Sequence, residues 1–179
     1  AQLVLMQTNT AEAAYQAHAY LQAAAMYQVL AEKQNNASDP QRELYYSALH
    51  SYADLLAPEA TPKQDEASVH AARDGLKKVG ALFVERWPKD ERTPSLAFNI
   101  ARAMYLDENY TDAANALAAF AKQYPTNKDA RAAVTLSWDA LEKQGSFKEL
   151  AESAQAVLTS TVIQDETLKA DAKRIIEGS

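Results

Sequence analysis

The sequence has no cysteine, which excludes thiol catalysis, disulfides and cysteine-held metal. Glycine and proline are scarce, at four and six of 179 residues, so regular structure is seldom interrupted. β-Branched runs bounded by turn signals are missing, and with them the pattern of a sheet. No stretch of Lys and Arg exceeds two residues and the net charge is −6, which argues against broad nucleic-acid binding. No apolar run approaches the roughly 18 residues of a membrane-spanning helix, so no direct membrane insertion is expected. Leu3-Val4-Leu5-Met6 is too short for a signal sequence and lacks a basic flank. A chain opening on Ala1 reads as a processed product or a cut piece, with any signal or anchor lying upstream.

What the sequence does have is Ala-rich helical periodicity and an internal echo. Phe83-Val84-Glu85-Arg86-Trp87-Pro88-Lys89-Asp90 returns 37 residues later as Phe120-Ala121-Lys122-Gln123-Tyr124-Pro125-Thr126-Asn127. A fixed period of this size marks a repeat array. In each copy the proline disfavours the α conformation of the residue before it, so helices end at Trp87 and Tyr124 with a full helix pair between.

Nine helices are expected, at 3–17, from Tyr20 to the polar run at Gln34, from Asp39-Pro40 to Leu56, about 64–87, Thr93 to Leu106, from Tyr110, from Thr126 or Asn127, from Ser146, and about 165–177. Asp39 with Pro40, Thr93 with Pro94, Thr61 with Gln64, and Ser146 with Glu149 read as helix caps. The fold class is all-α. One domain over 1–179 is expected, with repeats at 3–38, 39–90, 93–126 and 127–160 and a closing helix at 164–177.

The stretch Leu96–Pro125 resembles a tetratricopeptide repeat. It has Ala101 at the expected helix crossing, Tyr110 opening the second helix, then Ala113, Leu117, Phe120 and a closing Pro125. Tyr20, Ala23, Tyr27 and Leu30 repeat the pattern, as do Gly145, Phe147, Leu150, Ala154 and Val157. Trp138 departs from it, standing where a small residue is wanted. The first repeat lacks the closing proline, and the second has an enlarged turn at Pro58 to Pro62. The 37-residue spacing is similar to that of divergent repeats in bacterial envelope proteins, which implies an envelope or periplasmic setting, with the cytoplasm as the alternative. The resemblance implies a right-handed superhelix of antiparallel helix pairs, an α-solenoid whose first helices line a concave face.

That face is where a protein or peptide partner is expected, on Asn9, Glu12 and Tyr15; Tyr45, Leu49 and Tyr52; Phe98, Asn99, Arg102 and Tyr105; and Thr135, Asp139 and Glu142. Tyrosine suits recognition because it offers a flat surface and a hydroxyl at low entropic cost, although at helical spacing it also serves as core. Asn99 and Arg102 are similar to residues that clamp a peptide carboxylate in chaperone-binding members of the family. No matching Lys stands in the neighbouring repeat, so that function is not carried over.

His18, His50 and His70 fall on separate segments, and no pair has metal-ligand spacing on one helix face. Neither a phosphate-binding Gly-Lys loop nor a Gly-x-Ser-x-Gly elbow is present. No cofactor is expected, and the function expected is that of a non-enzymatic scaffold. Two alternatives are a self-assembly module working through its end repeats, giving a homo-oligomer, and a glycan-binding envelope factor using Trp87, Trp138 and acidic residues.

Overall fold

The computed structural model describes residues 2–57, 63–162 and 165–178, with side chains from residue 5 onward. Among them the chain is all-helical: α1 (Gln2–Gln16), α2 (Tyr20–Glu32), α3 (Asp39–Leu55), α4 (Glu66–Arg86), α5 (Thr93–Leu106), α6 (Tyr110–Gln123), α7 (Ala130–Lys143), α8 (Phe147–Thr159) and α9 (Glu166–Gly178). The chain divides into two compact units, 1–93 and 94–179.

The 37-residue period is written in the backbone. Trp87 and Tyr124 close α4 and α6 with nearly the same dihedrals, φ −127°, ψ 60° and φ −125°, ψ 57°. Asp90 N then donates to Trp87 O at 3.0 Å, and Asn127 N donates to Tyr124 O at 3.0 Å. In the same turn, the side chains of Asp90 and Asn127 each accept from the backbone N two residues on, at 2.9 Å in both. Such Asx turns stop a helix, because the side chain takes the place of the next backbone acceptor.

The hairpin turns repeat as well. His18, Glu108 and Gly145 take φ of 60°, 60° and 76°, each one residue before the position that precedes a second helix. Each turn carries the same pair of bonds: Ala19 N to Ala14 O and His18 N to Tyr15 O, Asn109 N to Met104 O and Glu108 N to Tyr105 O, Ser146 N to Leu141 O and Gly145 N to Glu142 O, all 2.9 to 3.0 Å. This is a left-handed C-terminal cap, which glycine adopts without strain and other residues adopt at about 1–2 kcal/mol. Glu108→Gly is therefore expected to stabilise unit 94–179 by about 0.5–1 kcal/mol, less than the full strain because glycine also loosens the unfolded chain. Gly145→Ala, with open space around its Cβ, should cost about 1 kcal/mol through backbone strain alone. Urea melts of the two variants check the opposite signs.

The second helices bury the stripes their spacing dictates. Ala23, Ala24, Tyr27, Leu30 and Ala31 of α2 are buried, as are Ala113, Ala114, Leu117 and Phe120 of α6 and Leu150, Ala154 and Val157 of α8. Leu117 and Phe120 join Phe98, Ala101, Ala113 and Ala133 in one cluster, each large side chain stabilising it by about 1.5–3 kcal/mol. Trp138, the departure from the small-residue crossing, is accommodated in a second cluster with Leu150, Ala154, Val157 and Leu168, and its indole N–H donates to Ser153 Oγ at 2.9 Å. Phe147 was expected on the buried stripe, but its side chain is exposed.

Several caps differ from expectation. Ser38 caps α3 by accepting from Gln41 N, one residue before the expected Asp39. Asp65 caps α4, accepting from Ser68 N at 2.9 Å, and this bond draws its pKa down. The box expected from Thr61, Pro62 and Gln64 involves residues outside the described ones. Thr93 is buried and turns back, donating to Trp87 O at 2.8 Å. Ser146 makes no side-chain cap bond. α7 begins at Ala130, because Asn127 is spent in the Asx turn. Each miss has one cause: a short polar side chain can serve the turn before a helix or the helix itself, and only the backbone path decides.

A charged knot ties the 86–93 turn to α3. Arg92 forms a forked pair with Glu43 at 2.8 and 3.0 Å, binds Asp90 at 2.8 Å, and lies over the Tyr46 ring at 4.2 Å. Arg92 holds the Asp90 carboxyl down to about 2 from its ordinary 3.8. The ionised form is thus the one that folding favours. Its stabilisation, about 1–2 kcal/mol after screening, is complete above pH 4 and is lost as pH falls through about 2. Asp90→Asn keeps the Asx turn, as Asn127 does naturally, and is expected to lessen the loss of stability between pH 4 and pH 2, leaving the part due to other carboxylates such as Glu43. Urea midpoints across that range test it.

Candidate functional site

The first helices carry a polar corner that occurs once in each unit. In 1–93, Tyr15 of α1 packs edge-on against Tyr20 at 5.5 Å and 66°, and its hydroxyl donates to Asp54 of α3. His50 Nδ1, one turn before Asp54, lies 3.2 Å from that carboxylate and 3.1 Å from the hydroxyl. Burial, and then Asp54, push the Tyr15 pKa upward, so the phenol stays a donor. In 94–179, Tyr105 of α5 packs against Tyr110 at 5.6 Å and 64° and donates to Asp139 of α7. Lys143, one turn after Asp139, donates to the Tyr105 oxygen at 2.8 Å and lies 3.3 Å from the carboxylate. The Tyr105 and Asp139 contacts raise the Lys143 pKa. Tyr15 and Tyr105 stand at the same distance before their positive-φ turns, so the two tyrosines are equivalent, and each is bonded to a carboxylate of the next first helix.

The remaining candidates separate by burial. Tyr45, Leu49 and Tyr52 are buried in the core of their unit, and Phe98 is buried against Phe120 at 5.5 Å. Tyr45 faces Trp87 at 6.2 Å, and Tyr52 accepts from Gln28 of α2. The outward stripe of α3 is Glu43, Tyr46, His50 and Asp54, one residue round from the expected one. On α5, Asn99 is half-buried and Arg102 exposed. On α7, Glu142 is exposed, and Thr135 returns its hydroxyl to its own helix at Ala132 O. Asn9 and Glu12 are exposed; Glu12 accepts from Tyr27 at 2.7 Å and from Gln16 at 2.8 Å. Asp54 and Lys143 were not picked out in the sequence, and His50 was weighed only as a metal ligand, although Asp139 and Lys143, like His50 and Asp54, have legible i,i+4 spacing.

The side chains of these corners are bonded to one another at the surface, an arrangement that displays donors, acceptors and ring faces. No group of three His, Asp or Glu side chains among the described residues could hold a metal ion. No described helix is long and apolar enough to cross a membrane. No protein-family model matches the sequence, and no curated protein matches it.

Proposed function

We propose that the chain is a non-enzymatic interaction scaffold of tetratricopeptide type, taking a segment of another protein on its first helices. The observation that carries this reading is the duplicated corner, in which a tyrosine hydroxyl bridges to the carboxylate of the next first helix. The bridge fixes the tyrosine ring and leaves a patch of donors and acceptors at each corner. A fixed aromatic with hydrogen-bonding neighbours binds a peptide at low ordering cost. Arg102 supplies an exposed cation on α5, and Asn99 lies one turn before it.

A photo-crosslinking residue at Arg102, and another at exposed Ala119 of α6 as control, test the reading in a lysate of the chain's own source. One dominant heterologous protein should be trapped from position 102, not from 119, and Asn99→Ala with Tyr105→Phe should reduce trapping several-fold. Equal trapping from both positions, or trapping that ignores those substitutions, would remove the first-helix assignment.

A further inference from the structure

Five rings follow one another along the corner of unit 1–93: His18, Tyr20, Tyr15, His50 and Tyr46, with successive centroids 5.6, 5.5, 5.8 and 6.3 Å apart. The two histidines are exposed and the three tyrosines half-buried. Two carboxylates stand on this strip. Asp54 accepts from Tyr15, and Glu12, one turn before Tyr15, has its pKa drawn down by its bonds from Gln16 and then Tyr27. His50 reaches the Tyr15 oxygen and Asp54 with Nδ1. A carboxylate only accepts, so this nitrogen carries the hydrogen, which a neutral imidazole supplies. Among the described residues no Lys or Arg pairs with Asp54 or Glu12, and none lies over Tyr15 or Tyr20.

The corner of unit 94–179 shows what such a combination holds. Its equivalent tyrosines carry an ammonium: Lys143 Nζ lies 5.0 Å from the Tyr105 ring centroid and 5.6 Å from that of Tyr110, 2.8 Å from the Tyr105 oxygen and 3.3 Å from Asp139. The negative ring faces and the carboxylate attract the charge together. Tyr46, at the end of the five-ring strip, is used the same way, with the Arg92 guanidinium over it at 4.2 Å. Lys143 follows its carboxylate by four residues; four after Asp54 the sequence has Pro58, which brings no cation. The first corner thus keeps the tyrosine pair and the carboxylate, adds a second carboxylate in Glu12, and lacks the ammonium.

We infer that the Tyr15–Tyr20 corner seats a lysine side chain of the bound segment, its ammonium against the two rings and Asp54 as that of Lys143 is against Tyr105, Tyr110 and Asp139. That the lysine belongs to a protein segment rests on the scaffold reading above; the seat itself does not. An acidic side chain at this place would meet Asp54 and Glu12, and an apolar one would cover their oxygens without a partner.

The test uses the full chain in neutral buffer and two small probes, Nα-acetyl-lysine amide and its Nε-acetylated form, which has the same stem and no charge. NMR shifts of the Tyr15 and Tyr20 ring protons should saturate with the charged probe in the millimolar range and stay unmoved by the neutral one. Asp54→Asn, which still accepts from Tyr15, should weaken the charged probe about fivefold, and Tyr20→Leu about threefold, in variants whose thermal melts match the parent. Tyr105 and Tyr110 should respond only when Lys143→Ala empties their corner. Absence of saturation, an equal response to the neutral probe, indifference to both substitutions, or an equal response of Tyr105 with Lys143 in place would overturn the seat. Saturable binding with no partner trapped from position 102 would keep the seat and remove the scaffold reading, and trapping without probe binding would do the reverse.

Discussion

Replacing Phe83 with Ala is expected to destabilise unit 1–93 by about 3–5 kcal/mol, a large part of a domain's whole stability. Phe83 has no exposed surface and heads the largest fully buried side chains. It is enclosed by Trp87 at 5.0 Å, Tyr46 at 6.3 Å and the Arg92 guanidinium at 5.6 Å. The loss has two parts: the transfer of the phenyl ring, and the cavity left because these neighbours are fixed. Arg92 cannot follow the vacated space without giving up Glu43 and Asp90, and Trp87 is the C-cap of α4. A site that cannot collapse sits at the upper end of the range. Trp87 lies in one unit and Trp138 in the other, so Trp87 fluorescence in a Trp138→Phe background follows the affected unit through a urea melt. A loss below about 1 kcal/mol would mean that the ring's neighbours repack, contrary to this account.

That Phe83 matters could be read from the sequence, since it opens the echoed motif and its counterpart Phe120 is buried too. The echo was legible because proline and small residues act through local backbone sterics, which do not depend on the rest of the chain. The stripes of α2 and α6 followed from the 3.6-residue period of their apolar positions. The face of α3 did not. Tyr45, Tyr46, Leu49, His50 and Tyr52 form a nearly continuous apolar and aromatic band, and periodicity alone cannot say which part turns inward. The deciding facts are tertiary: Trp87 beside Tyr45, and a helix opposite Tyr52 with no side chain in the way. The tyrosine corners show the same limit. Tyr15 and Tyr105 were recognisable as candidates, but their partners Asp54 and Asp139 lie 39 and 34 residues on, a separation that no single period predicts.

Gly75→Val is expected to cost about 3 kcal/mol, even though it removes a glycine from the middle of a helix. On propensity alone the glycine is a liability, about 1 kcal/mol worse than Ala in a helix interior, and an aliphatic replacement should gain part of that back. Packing outweighs it. A Cβ at position 75 would fall within the ring of Tyr52, and the atoms it meets belong to the body of that ring. Tyr52 is only 7% exposed and its hydroxyl is held by Gln28, so it cannot swing aside without losing its burial and its bond. Gly75→Ala shares the clash with fewer atoms, and its propensity gain offsets part of the cost, leaving about 1–2 kcal/mol. A double-mutant cycle separates the two effects. In a Tyr52→Ala background the ring is absent, and Gly75→Val should cost less than about 1 kcal/mol, a coupling near 2 kcal/mol between the sites. Additive losses would show that Gly75 is required for its backbone, whereas strong coupling would show that α4 carries a glycine there because α3 sets a tyrosine ring against it.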